Sequence, residues 1–130
     1  VGSEMCIRDS TYPVELFPDI LDHLRSAQHN EYQEWDHDYA GFSRTAQEEG
    51  FQEIAHIFSM IAGIEKTHGD RFGKFAELLE QDKLFVSDVQ VKWMCLNCGQ
   101  IIDATMAPAV CPVCKHPQGY FIRWEMAPFE

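Results

Sequence analysis

The sequence predicts a mainly α protein, an antiparallel helical hairpin followed by a small β-rich metal knuckle, and three observations carry that prediction. Apolar residues from about position 19 to 84 recur every three to four places, broken only near Gly50, which is the period of two long helices joined by a short turn. After Leu84 that period gives way to alternation between Phe85 and Trp93. Two C-x-x-C pairs, Cys95 with Cys98 and Cys111 with Cys114, follow near the C-terminus.

The first helix is expected to begin near Asp19, whose carboxylate can cap free amides, after an extended entry that holds Pro13 and Pro18. Leu24, Ala27, Glu31, Glu34, Trp35, Asp38, Phe42 and Ala46 step by three and four and form one inward stripe, which Gly50 ends. The second helix is predicted from about 51 to 79, with Ile54, Ile57, Phe58, Ile61, Glu65, His68, Phe72, Phe75 and Leu79 facing inward. So short a turn makes the helices antiparallel, yet two helices alone cannot cover two wide apolar faces. Phe85 to Trp93 reads as a strand or extended linker, and Tyr120 to Trp124 as a closing strand.

Composition narrows the function. Hydrophobic residues at 45% and charged residues at 24% are proportions of a folding domain. A formal charge of -11, from 21 acidic against 10 basic residues, repels a phosphate backbone, so nucleic acid is excluded as a partner. No apolar run reaches the roughly 18 residues of a membrane span and no secretion leader opens the chain, so a cytoplasmic protein with no membrane partner is expected. Residues 1–10, with Cys6, lack any period and read as a non-native leader. The expected domains are therefore 11–84, helical, and 85–130, the four-cysteine module.

A C-x-x-C turn sets two thiolates on one side of a tight loop, and two such turns complete a tetrahedron. Cys95, Cys98, Cys111 and Cys114 are thus the metal ligands, with Gly99 free to take a positive dihedral and Pro112 stiffening the second turn. Four thiolates accept zinc as readily as iron, so the ligands leave both open.

The second anomaly lies on the inward stripes, where charged side chains are rarely found unless paired or metal-bound. Glu65-x-x-His68 places a carboxylate and an imidazole one turn apart, and Glu31-x-x-Glu34 does likewise on the first helix. Alone, either pair reads as a solvated, salt-bridged face; together and beside a four-cysteine module they point to a carboxylate-bridged di-iron centre. His23, His29, His37 and His56 are expected at the surface, Met94 and Met106 are expected to pack, and Trp35, Trp93 and Trp124 to serve core or interface.

Glu31-Tyr-Gln-Glu34, Phe42-Ser-Arg-Thr-Ala-Gln-Glu-Glu-Gly50, Glu65-x-x-His68, Cys95-x-x-Cys98-Gly99 and Cys111-Pro-x-Cys114-x-x-Pro117 together resemble the rubrerythrins, over about residues 19 to 124. The resemblance implies half of a ferritin-like four-helix bundle joined to a rubredoxin-like domain. It implies a non-haem di-iron peroxidase in oxidative-stress defence, in which a mononuclear iron on four thiolates receives electrons from a reductase, NADH-linked, or a rubredoxin. That iron passes them to a di-iron pair that reduces hydrogen peroxide. Carried over by motif, Glu31, Glu34, Glu65 and His68 are di-iron ligands, Glu34 being the carboxylate that trades places with a histidine, and Tyr39 is a hydrogen-bond partner near the centre. The first helix pair of the family pattern, with its own Glu and Glu-x-x-His, has no counterpart, so the chain is expected to be truncated and a homodimer to complete the ligand set. Two other readings compete: a zinc-ribbon and helical-hairpin binding module without catalysis, and a ferritin-like iron-handling protein.

Overall fold

Asp19 opens the first helix as expected: its Oδ1 accepts the Leu21 amide at 2.8 Å, satisfying one of the free donors of a helix start. The computed structural model describes residues 16–127, so the expected leader and the entry at Pro13 lie outside the described residues. Helix α1 runs Ile20–Gln33, a single π-helical segment spans Glu34–Asp38, and α2 continues over Tyr39–Glu48. The first helix is therefore not the single uniform helix that the sequence predicted.

The turn after α2 is a Schellman motif. Phe51 N donates to Ala46 O at 2.8 Å and Gly50 N to Gln47 O at 3.1 Å, while Gly50 takes φ 88°, a conformation that costs glycine little. Helix α3, Gln52–Glu80, returns antiparallel, tied near the turn by Ser43 Oγ donating to Ala55 O at 2.8 Å. It ends in the same motif, with Lys83 N on Leu78 O at 2.7 Å and Asp82 at φ 54°.

The chain divides into two compact units, one ending at Glu77 and the other starting at Leu78. In the helical unit the described residues that are buried are all small: Ala46, Ala55, Ala62, Gly69, Gly73 and Ala76. Phe42, Ile54 and Ile57, expected to face inward, are 51%, 46% and 49% exposed, since none of the described residues of the helical unit forms a second layer over that side of the hairpin.

The second unit is a three-stranded antiparallel sheet in the order β2-β1-β3, with β1 at Val86–Cys95, β2 at Ile101–Met106 and β3 at Phe121–Arg123. Trp93, at its centre, pairs with Ile102 on one side and Arg123 on the other. It is fully buried with Cys95, Ala107, Cys111 and Phe121, and its indole nitrogen donates to Ala104 O at 3.1 Å, so the large ring leaves no polar atom unmet. Met94 packs, but Met106 is exposed because it stands at the end of an edge strand. Strand β2 was not anticipated from the sequence.

Candidate metal centres

The four cysteines come together from two turns of the same construction. In the first, Gly99 N donates to Cys95 O at 2.8 Å and Cys95 N to Gln100 O at 2.9 Å; in the second, Lys115 N donates to Cys111 O at 3.0 Å and Cys111 N to His116 O at 2.8 Å. Gly99 at φ 76° has its counterpart in Lys115 at φ 65°, a lysine held in the left-handed region by the turn around it. Cys95 lies 3.6 Å from Cys114 and Cys98 3.8 Å from Cys111, sulfur to sulfur. Metal–sulfur bonds of about 2.3 Å give a tetrahedron with edges of about 3.8 Å, so the set fits one ion.

Cys95 and Cys111 are buried, Cys114 is half-buried and Cys98 is exposed. The His116 amide, the largest influence on Cys114, draws that thiol down to about 5 by stabilising its thiolate. The Gln100 amide acts in the same direction on Cys98, but desolvation and the three neighbouring sulfurs outweigh it and push Cys98 up to about 12. The sulfurs therefore share protons as a cluster, and an ion bound among them displaces those protons.

On the helical unit, Glu31 of α1 meets Glu65 and His68 of α3, with ligand atoms of all three within 4.8 Å of one another. His68 Nδ1 lies 2.7 Å from Glu65 Oε2 and 3.5 Å from Glu31 Oε2. At bond lengths near ~2.1 Å, as for zinc with nitrogen and oxygen, neighbouring ligand atoms stand about 3 Å apart, so the trio can take an ion with a few tenths of an ångström of opening. Burial first, then the Glu65 carboxyl, raises the pKa of Glu31; burial, then the Glu65 charge, raises that of Glu34. A cation would relieve both.

The structure thus gathers Glu31, Glu65 and His68, and it leaves Glu34 outside that trio, within electrostatic reach of Glu65. Glu34 opens the π-helical segment, where the Tyr39 amide bonds back to Glu34 O. Sequence reasoning missed that segment, although a signal existed. Glu34, Asp38, Phe42 and Ala46 advance by four three times running, which drifts about 120° around a regular helix, and one π turn absorbs most of it. His68 is also more open than its stripe position suggested, with a side chain 45% exposed. Tyr39 contacts rings, Phe42 at 5.8 Å and Phe58 at 6.1 Å between centroids.

Comparison with known proteins matches two family models, one over each part of the chain. The family model described as rubrerythrin matches residues 3–87, and that described as rubrerythrin, rubredoxin-like domain, matches residues 93–122.

The chain belongs to the rubrerythrin family.

A rubrerythrin of Clostridium perfringens is 45% identical over 113 residues, covering 87% of this chain and 58% of that protein. A rubrerythrin of Nitratidesulfovibrio vulgaris is 36% identical over 112 residues, covering 86% and 59%. The chain thus spans under two thirds of the length of these relatives. A solved structure described as a partially reduced state of nigerythrin aligns with TM-score 0.48 and 24% identity, over 94% of this chain and 58% of that one. Within the family, the four-sulfur cluster fits the iron of the rubredoxin-like domain. Among the described residues, no helix is long and apolar enough to cross a membrane.

Proposed function

We propose that this chain works as a rubrerythrin-type non-haem peroxidase that reduces hydrogen peroxide to water. Its electrons come from a reductase or a rubredoxin through the four-thiolate site, in the cytoplasm. The observation that carries the reading is the convergence of Glu31, Glu65 and His68 in a chain that also builds a four-sulfur tetrahedron. Iron bound at the two sites supplies the one-electron steps that together reduce the O–O bond.

The chain's own residues do the rest. Glu65 and Glu31 present carboxylate oxygens toward His68 Nδ1, so the three offer their ligand atoms to one point. Glu34, beside that point on the π-helical segment, is the mobile carboxylate. Ile61, Phe72 and Trp35, each half-buried, limit water around the cluster. Glu31, Glu65 and His68 are half of a di-iron ligand set of the Glu and Glu-x-x-His kind, with Glu34 as a further carboxylate, and a second copy in a homodimer supplies the other half. The uncovered Phe42, Ile54 and Ile57 are consistent with such a partner.

Glu65→Ala tests the reading. The variant should lose iron from the helical unit, by about a hundredfold or more in affinity, because deleting a ligand exceeds the loss from deleting its supports. The four-thiolate absorption should stay, and peroxide should no longer reoxidise the reduced four-thiolate iron. Equal iron in variant and parent would reduce Glu65 to a salt-bridged surface carboxylate. Sedimentation across a concentration range tests the homodimer.

A further inference from the structure

Outside the Glu31, Glu65 and His68 cluster, four side chains close a ring between the helices. The Tyr32 hydroxyl donates to Asp70 Oδ1 at 2.7 Å, and Lys66 Nζ donates to Asp70 Oδ2 at 2.7 Å. The Lys66 ammonium stands 5.3 Å from the centre of the Trp35 ring, and that ring meets Tyr32 edge to face at 5.7 Å. Three of the four adjoin the ligands in sequence: Tyr32 follows Glu31, Trp35 follows Glu34 and Lys66 follows Glu65. The ring therefore grips both helices at the level where the ligands meet.

Under the ring lies Gly69, buried and one residue past His68. A Cβ there would stand 2.5 Å from Tyr32 Cδ1, 2.6 Å from Tyr32 Cε1 and 3.4 Å from Glu31 Cβ. Tyr32 can swing clear only by giving up its hydroxyl bond to Asp70 and its ring contact with Trp35. Alanine in place of Gly69 therefore either breaks the ring of side chains at Tyr32 or pushes α1 away from α3, and Glu31 with it.

We propose that Gly69 and the Tyr32–Asp70–Lys66–Trp35 ring are the positioning device of the carboxylate and imidazole site. The absent side chain lets α1 approach until Glu31 reaches His68 and Glu65, and the ring fixes its rotation at that depth. The inference rests on the reading of that trio as a metal site. Intrinsic helix preference argues the other way, because glycine weakens a helix interior relative to alanine. The exposed Lys66 and Asp70 pair contributes little to stability by itself, so its value lies in geometry.

Gly63 provides the control, being in the same helix with nothing within 4 Å of a Cβ added there. Gly69→Ala, Gly63→Ala, Tyr32→Phe and Glu65→Ala would be compared by anaerobic titration with ferrous iron alone. Nuclear Overhauser contacts between the Glu31 side chain and the His68 ring would be recorded before iron is added. Gly69→Ala should erase those contacts and weaken iron binding on the helical unit about tenfold or more, the scale on which lost ligand supports act. Its helical circular dichroism and four-thiolate absorption should hold. Gly63→Ala should match the parent in contacts and iron, and Tyr32→Phe, which removes one hydroxyl, should loosen both in part. The proposal is overturned if Gly69→Ala keeps the contacts and the affinity, or, should that variant not fold, if Tyr32→Phe keeps both. Loss of the contacts in Gly69→Ala while iron binds equally in it and in Glu65→Ala would leave the positioning intact and overturn the metal reading instead.

Discussion

The two units solve the problem of small size differently. The sheet unit wraps a tryptophan, two cysteines and a phenylalanine into a closed core and brings all four sulfurs from its own turns. The helical unit buries only alanines and glycines among its described residues and leaves Phe42, Phe51, Ile54, Ile57, Met60 and Ile64 each at least 46% exposed. A metal can finish a unit whose ligands are local, whereas a hairpin must borrow its second layer from another pair of helices. The four sulfurs come from two turns of one unit, whereas Glu31 meets Glu65 and His68 only because two helices pack together.

The sharpest way to break this comparison is to take away the ion. Cys111→Ala should unfold the sheet unit outright, because structural four-ligand sites contribute apparent free energies of about 10–16 kcal/mol that so small a core cannot replace. Amide dispersion should collapse for residues 93 to 124, with the helical signals retained. Dispersion that survives metal loss would mean that the core around Trp93 suffices.

A pair of truncations sharpens it further. Trp93→Ala removes a fully buried ring and should cost about 3–5 kcal/mol in thermal or denaturant unfolding. Ile57→Ala removes a side chain that is 49% exposed and should cost a monomer under about 0.5 kcal/mol. A larger cost that grows with protein concentration would locate Ile57 in a dimer interface.

The smallest effect concerns charge on the helical unit. Raised carboxyl groups at Glu31 and Glu34 favour the folded state while protonated, so their contribution is full below about pH 4.5 and is lost as pH rises through their folded values. Asp70, held low by its bond from Lys66 and then by that from Tyr32, acts oppositely and only below about pH 4. Helical melts without iron should therefore rise as pH falls from 7 toward 4.5. Glu34→Gln should raise the neutral melt by a few tenths of a kcal/mol while weakening iron binding, a common trade at functional sites. No gain at neutral pH would mean that Glu34 is not strained by its neighbours.

Much of this was legible in advance because it is local. Asp19, Gly50 and the two C-x-x-C turns each act through hydrogen bonds that span six residues or fewer, so the sequence alone determined the helix start, the hairpin turn, the four sulfur ligands and the family. It also placed Glu65 and His68 together, one turn apart on a single helix. Strand β2 escaped notice because Ile101 to Met106 is short and only its pairing with β1 defines it. The tertiary structure alone decided that Glu34 stands apart on a π turn while Glu31 meets Glu65 and His68, and that Tyr32 leaves no room for a Cβ at Gly69. Sequence spacing fixes the direction of a side chain about its own helix. How deeply a second helix settles against it, and at what rotation, follows from contacts between residues far apart in the chain, such as Tyr32 and Asp70.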